Sequence, residues 1–337
     1  MSTDPVRAIA DAVLYEGYIL WPYRRSALKN RRRWTFGGVH PRAWSERHPD
    51  DEWAMQTQCL VEAPVHGAVE VQVRFLQVID RRVAGLTPAG REWVSELDID
   101  GDVHLAWEEA AEREVTLAPL ALASGRAEAC ARLSVSAGRA EEELLDRLGR
   151  PRGALVRSWK SIEGSVRVRA QRIAPALWRL AVRVENTTPC EPREREQALQ
   201  RTLCSTHTVM RAQGAQFVSM TDPPEHLREA AGRCRNIGTW PVLVGAPGSR
   251  EVMLSSRIIL EDHPRIAPES PGDLFDGGEI DQLLLLNILA LSEEEKREMR
   301  ASDPRTREIL ERTQALSPQE LMRLNGAIRE LQVVRET

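Results

Sequence analysis

ALVRSWKSI (154–162), VRVRAQRI (166–173) and LWRLAVRVENTT (177–188) decide the fold class. In each run apolar and polar side chains alternate. That period of two sends one face of a strand into a core and the other toward water. Glu163-Gly164 and Ala174-Pro175 punctuate the runs with turn chemistry, so an antiparallel meander is the economical topology. Arg167, Arg169, Arg172, Arg179 and Arg183 are expected to line its outer face.

Upstream, AVEVQVRFLQVI (68–79) repeats the pattern through Val69, Val71, Val73 and Phe75, which predicts one core face and one solvent face. Glu114–Leu120 is a further candidate strand, whereas SAGRAEEELLDRLG (136–149) reads as a short helix ending at a glycine. Pro189–Glu196 has the prolines and charges of a boundary. Beyond it, THTVMRAQGAQFVSM (206–220) predicts a strand pair bent at Gly214. Asp222-Pro-Pro-Glu225 starts a short helix running to about Cys234. WPVLVG (240–245) and EVMLSSRIIL (251–260) are strand-like, with a Pro-Gly turn between them.

The last quarter reads as helical. IDQLLLLNILAL (280–291) is apolar, Ser292-Glu-Glu-Glu295 and Ser317-Pro-Gln-Glu320 have the capping-box form, and Asp303-Pro304 sets a capping acid before a first-turn proline. Near the start, Val6–Tyr15 predicts a short helix with Ile9, Val13 and Leu14 on one face. The expected fold is therefore β-rich α+β: antiparallel, sandwich-like sheets with a helical C-terminal region. Its expected parts are an aromatic and basic segment (1–56), an antiparallel β domain (57–190), a second β-rich α/β region (191–275) and C-terminal helices (276–337).

The 337 residues carry 46 basic and 50 acidic groups, a formal net charge of −4. With 42% hydrophobic and 28% charged residues, this composition excludes collagenous, disordered and membrane-embedded chains. The five cysteines are odd in number and form no CxxC pair. The first twelve residues lack the basic start and apolar run of a secretion signal. A cytoplasmic protein with reduced thiols is expected.

The most unusual stretch is 15–36, YEGYILWPYRRSALKNRRRWTF, which holds all three tyrosines and a run of basic residues. Arginines among aromatics suit an acidic protein face, with the rings as anchors. They also suit nucleic-acid phosphates and bases, and the same residues serve equally as the solvated edge of a core. Cys204-Ser-Thr-His207 has a C-x-x-H spacing whose thiolate and imidazole suit zinc or nickel, although a mononuclear site needs about four ligands. Four acids within Asp273–Asp281 fit helix N-termini better than a calcium loop. No P-loop, GxGxxG, HExxH or GxSxG occurs, which disfavours nucleotide hydrolysis and dinucleotide redox chemistry.

YEGYILWPYRRSALKNRRRWTFG (15–37), FVSMTDPPEHL (217–227) and APESPGDLFDGGEIDQLLLLNILALSEEEKREMRASDPR (267–305) together resemble an uncharacterised family encoded in actinobacterial-type uptake [NiFe]-hydrogenase gene clusters. The resemblance spans most of 6–315. It implies a role near hydrogenase assembly and transfers no catalytic residue. The expected function is a non-catalytic accessory or assembly protein that binds a hydrogenase subunit or maturation factor. The expected contact residues are Tyr15, Tyr23, Arg24, Arg25, Arg31 and Trp34. The alternatives are a metal-binding carrier or metalloenzyme using Cys204 and His207, with a transition metal, and a nucleic-acid-binding regulator. Otherwise no cofactor is expected.

Overall fold

A computed structural model describes residues 5–15, 37–63, 67–123, 125–265, 287–302 and 304–317. In chain order, helices α1 (Pro5–Tyr15) and α2 (Arg42–Ser45) precede strands β1 (Ala54–Glu62), β2 (Ala68–Thr87), β3 (Gly90–Val94), β4 (Glu96–Ile99) and β5 (Asp102–Leu105). Then come β6 (Trp107–Ala121), β7 (Arg126–Val135), β8 (Gly138–Leu145), β9 (Pro151–Trp159), β10 (Ile162–Ala174) and β11 (Leu177–Asn186). Helix α3 (Arg195–Leu199) leads to β12 (Cys204–Gln213) and β13 (Gln216–Phe217). Helix α4 (Arg228–Gly232) leads to β14 (Trp240–Leu243) and β15 (Val252–Ser256). The helices α5 (Glu293–Ser302) and α6 (Pro304–Gln314) follow.

These strands form an antiparallel sandwich. Sheet I has the order β13-β1-β11-β10-β7, and sheet II has the order β14-β15-β12-β2-β9-β8, with β3 and β6 also paired to β2. The alternating residues meet as expected. Val69, Val71, Val73 and Phe75 of β2 pack against Val166 and Val168 of β10 and Trp178, Leu180, Val182 and Val184 of β11. The expected β-rich α+β class is the observed one. The long strand β2 is the spine of sheet II. One of its edges binds β12 and then β9; the other binds β6 and then β3.

Four expectations need correction. The three-run meander is split between sheets: β10 and β11 pair with each other, but β9 pairs with β2 and β8 in sheet II. The chain crosses the sandwich near Lys160–Ser161, and Glu163-Gly164 lies inside β10. The segment expected as a helix over 136–149 is the β8–β9 hairpin. Its turn is closed by the Asp146 carboxylate, which accepts from the Leu148 and Arg150 N–H groups, and Gly149 takes the positive φ of 72°. Glutamates that look like a solvated helical face are instead cross-strand partners: Glu141 binds Arg91 and Glu142 binds Arg157.

The outer face of β2 is also covered. Arg74, Leu76 and Val78 are buried beneath α1, α5 and α6, where Leu76 and Val78 join Leu14, Met299, Ile309 and Leu310 in a second apolar cluster. Finally, Pro189–Glu196 does not divide two cores. β12, β14 and β15 complete sheet II around β2, and Met210, Phe217, Leu243 and Met253 share the main core.

Other local expectations hold. The α1 helix buries Val6, Ile9, Ala10, Val13 and Leu14. Ser292 and Glu295 form the capping box of α5, with reciprocal bonds of 2.8 and 3.2 Å. Gly214 bends the chain between β12 and β13 at φ +62°. The acidic cluster 273–281 and residues 318–320 of the second capping box lie outside the described residues. Among the described residues no helix is long and apolar enough to cross a membrane, and all five cysteines are free thiols.

Close backbone approach makes one glycine specific. A Cβ on Gly153 of β9 would lie 2.4 Å from the Ala84 carbonyl oxygen of β2 and 2.5 Å from Leu97 Cδ2. Gly153→Ala is expected to cost about 1–3 kcal/mol through overpacking. A urea melt checks it, and an unchanged midpoint would contradict the packing.

Candidate functional site

Cys204 and His207 are three residues apart, a spacing that in a regular strand puts side chains on opposite faces. Here the β12–β2 register shifts between them, with Ser205 at φ +49°. Cys204 then pairs with Leu76 and His207 with Arg74, so both face the helices outside sheet II. The structure therefore brings the predicted pair to one face. His207 is fully buried. Its Nδ1 donates to the Ser205 carbonyl at 3.2 Å, which leaves a lone pair on Nε2, an atom with no hydrogen-bond partner. Burial, reinforced by the Arg74 guanidinium, pushes the imidazole down to about 3, so it is neutral at ordinary pH.

That tautomer is competent as a ligand, but its setting does not favour a cation. Cys204 sits in the apolar cluster with Leu76, and Arg74 places a positive charge beside His207. Among the described residues no three His, Cys, Asp or Glu side chains converge to hold a metal.

Arg74 is itself 1% exposed and organises a charged cluster under α1. Its Nη2 donates to Asp11 at 2.6 Å and to Glu112 at 3.2 Å. Glu112 Oε1 also accepts from the Tyr15 hydroxyl at 2.8 Å and from Arg305 of α6 at 2.7 Å. The Arg305 guanidinium lies 3.4 Å from the Tyr15 ring centroid. Burial raises the Tyr15 phenol well above its ordinary range.

The expected contact role of Tyr15 is thus corrected. The ring is buried, and it ties α1 to β6 and α6 instead of being displayed. Tyr23, Arg24, Arg25, Arg31 and Trp34 lie outside the described residues. The chain on either side of them is fixed to sheet II, at Tyr15 through Glu112 and at Gly37, whose carbonyl accepts from the Thr206 N–H at 3.0 Å.

The exposed face of sheet I carries the strongest surface signal. Arg167 and Arg169 of β10, Arg179 and Arg183 of β11, and Arg126 and Arg132 of β7 share it through the strand register. Among the described residues, Glu128 lies 3.1 Å from Arg169 and 3.9 Å from Arg167, Glu185 lies 2.7 Å from Arg183, and Glu163 lies 3.5 Å from Arg132. Trp53 adds a ring at the border, with the Arg42 and Arg183 guanidiniums 4.8 and 5.6 Å from its centroid. Arg172, expected on this face, departs from it. Its even position in β10 pairs it with Trp178 and sets it on the face opposite Arg167 and Arg169, with its guanidinium 4.8 Å from the Trp178 ring centroid and donating to the Ala123 carbonyl.

At one end of the same sheet a cavity of about 1160 Å³ opens between the β10–β11 turn, the β12–β13 bend and α4. Pro175, Leu177, Arg179, His226, Leu227 and Arg233 line part of it. Two of its carboxylates are already committed, Glu62 to Arg250 and Glu229 to Arg233. Sequence reading did not anticipate this cleft, because its walls come from five separate segments, around 62, 173–179, 212–216, 226–233 and 251.

Comparison with protein-family models, with curated proteins and with solved structures finds no match to this chain. What the chain can do chemically is set by its own side chains. They offer a guanidinium-rich sheet face suited to carboxylates, because the planar fork of arginine pairs with them bidentately.

Proposed function

We propose that this is a non-catalytic cytoplasmic accessory protein that docks on an acidic protein surface. From the family resemblance, we assign that surface to a [NiFe]-hydrogenase subunit or maturation intermediate. The observation that supports docking is the outer face of sheet I, where, among the described residues, arginines outnumber carboxylates on an antiparallel platform. Steering by such a face accelerates encounter and selects partners by charge.

The test is co-expression with hydrogenase subunits and their maturation proteins, followed by affinity purification. Arg167→Glu/Arg169→Glu changes side chains that are 39% and 60% exposed, so the core is untouched. It is expected to lower recovery of the hydrogenase partner by about tenfold or more. Arg24→Glu/Arg25→Glu measures the share of the N-terminal segment. Capture of no hydrogenase or maturation protein by the unaltered chain, or equal capture by the Arg167/Arg169 variant, would overturn the reading. The same face also permits nucleic-acid binding, which predicts a gel shift at low salt that fades steeply as salt rises. The net charge of −4 disfavours it.

A further inference from the structure

β7 ends sheet I, and among the described residues no strand pairs with its outer edge. The phase of the hydrogen bonds defines what that edge offers. Arg172 N–H donates to the Gly125 carbonyl, and Thr187 N–H donates to the Glu163 carbonyl. Alternation along an antiparallel ladder then turns the backbone groups of Ala127, Ala129, Ala131 and Leu133 toward β10. Those of Glu128, Cys130, Arg132 and Ser134 turn toward the open edge.

Other terminal strands carry the usual guards against pairing. β6 contains Pro119, β14 contains Pro241, and β8 is charged on both faces and shifts register at Leu144/Leu145. β7 has none of these. It runs ten residues without proline, its register with β10 is unbroken, and its inward row is Ala127, Ala129, Ala131, Leu133 and Val135.

The outward row is self-complementary. About a two-fold axis through Cys130, Glu128 of one copy stands opposite Arg132 of the second, and Arg132 opposite Glu128. These three positions are all exposed and all belong to the set whose backbone groups face the edge.

We propose that β7 pairs antiparallel with β7 of a second copy of this chain, centred on Cys130. The two copies of sheet I then join into one continuous sheet. The arginine faces of both copies lie side by side on it. The argument is independent of the proposed hydrogenase partner, because it rests on edge geometry and on the Glu128/Arg132 pairing alone.

Sedimentation of the full chain over a concentration series tests it, together with a short bismaleimide that links close thiols. The expected result is a dimer whose cross-link disappears in Cys130→Ser and persists in Cys190→Ser/Cys234→Ser. Glu128→Arg and Arg132→Glu each turn two attractive cross-strand pairs repulsive and are expected to raise the dimer dissociation constant about tenfold. The exchanged pair Glu128→Arg/Arg132→Glu is expected to restore it. A monomer up to about 100 μM, a dimer indifferent to these charges, or a cross-link that survives Cys130→Ser would overturn the proposal. Should a single variant lose its fold, the Cys130 cross-link of the unaltered chain decides alone.

Discussion

Trp178→Ala is expected to cost about 3–5 kcal/mol, a large part of the ~5–15 kcal/mol that holds a typical domain folded. Trp178 is fully buried on β11, where its Cα pairs with Val61 of β1 on one side and Arg172 of β10 on the other. Its ring lies among the residues through which sheet I meets sheet II, so truncation opens a cavity at the join of the two sheets. The indole N–H has no hydrogen-bond partner, so the side chain stabilises through packing and through the Arg172 guanidinium over its ring, and carries an unmet donor. An unmet buried donor costs about 1–3 kcal/mol. Trp178→Phe removes that donor while keeping an aromatic ring, so its expected loss is much smaller, under about 2 kcal/mol. Urea melts of the two variants separate the effects. Equal losses for Phe and Ala would show that ring packing is not what the core uses.

The same residue shows why the sandwich was legible. Burial alternates strictly over 162–170 of β10 and 178–186 of β11, and alternation needs only local sequence. Which strand pairs with which did not follow from it. β9 and β10 are consecutive and similarly patterned, yet lie in different sheets, because β2 offers β9 the edge that β12 leaves open beyond Leu76. The third layer had a signal that one-face reasoning passed over. On the presumed solvent side of 68–79, Leu76 and Val78 are apolar, and this row is the one α1, α5 and α6 cover.

The β4–β5 hairpin carries an equally local signal that the sequence reading passed over. Asp100-Gly101 has positive φ at both positions, the type I′ turn that Asp-Gly favours. Arg172 was placed wrongly by type when its even position already set it out of phase with Arg167 and Arg169. The candidate site was less legible than the fold. The bulge that puts Cys204 and His207 on one face depends on a left-handed Ser205, and the charges around Arg74 come from α1, β6 and α6. No local pattern announces that convergence.

That convergence carries the second large expectation, a steep loss of stability on mild acidification. His207 and His40 are both buried, and burial pushes them down to about 3 and about 4 from an ordinary value near 6.5. Around His207 stand Arg74 of β2 and Arg7 of α1, which oppose protonation, and Glu112 of β6 and the Ser205 carbonyl, which favour it less strongly. Around His40, Arg257 and Arg195 oppose protonation and Asp51 favours it. The unfolded chain takes up protons at these histidines as pH falls through about 6.5, while the folded chain does not until near 4 and 3. Stability is therefore full above about pH 6.5 and falls as pH drops, by about 1.4 kcal/mol per unit for each histidine. His104, also lowered chiefly by burial, acts in the same direction. Between pH 6.5 and 5 the two buried histidines together are expected to remove about 3–4 kcal/mol, before most carboxylates titrate. Denaturant melts at pH 7, 6 and 5 measure the slope. His207→Leu, which leaves the Arg74 bonds to Asp11 and Glu112 in place, is expected to reduce proton uptake on unfolding by about one. A variant slope equal to that of the unaltered chain would mean that His207 is already charged or already open to water, and the neutral, buried imidazole facing Arg74 would have to be abandoned.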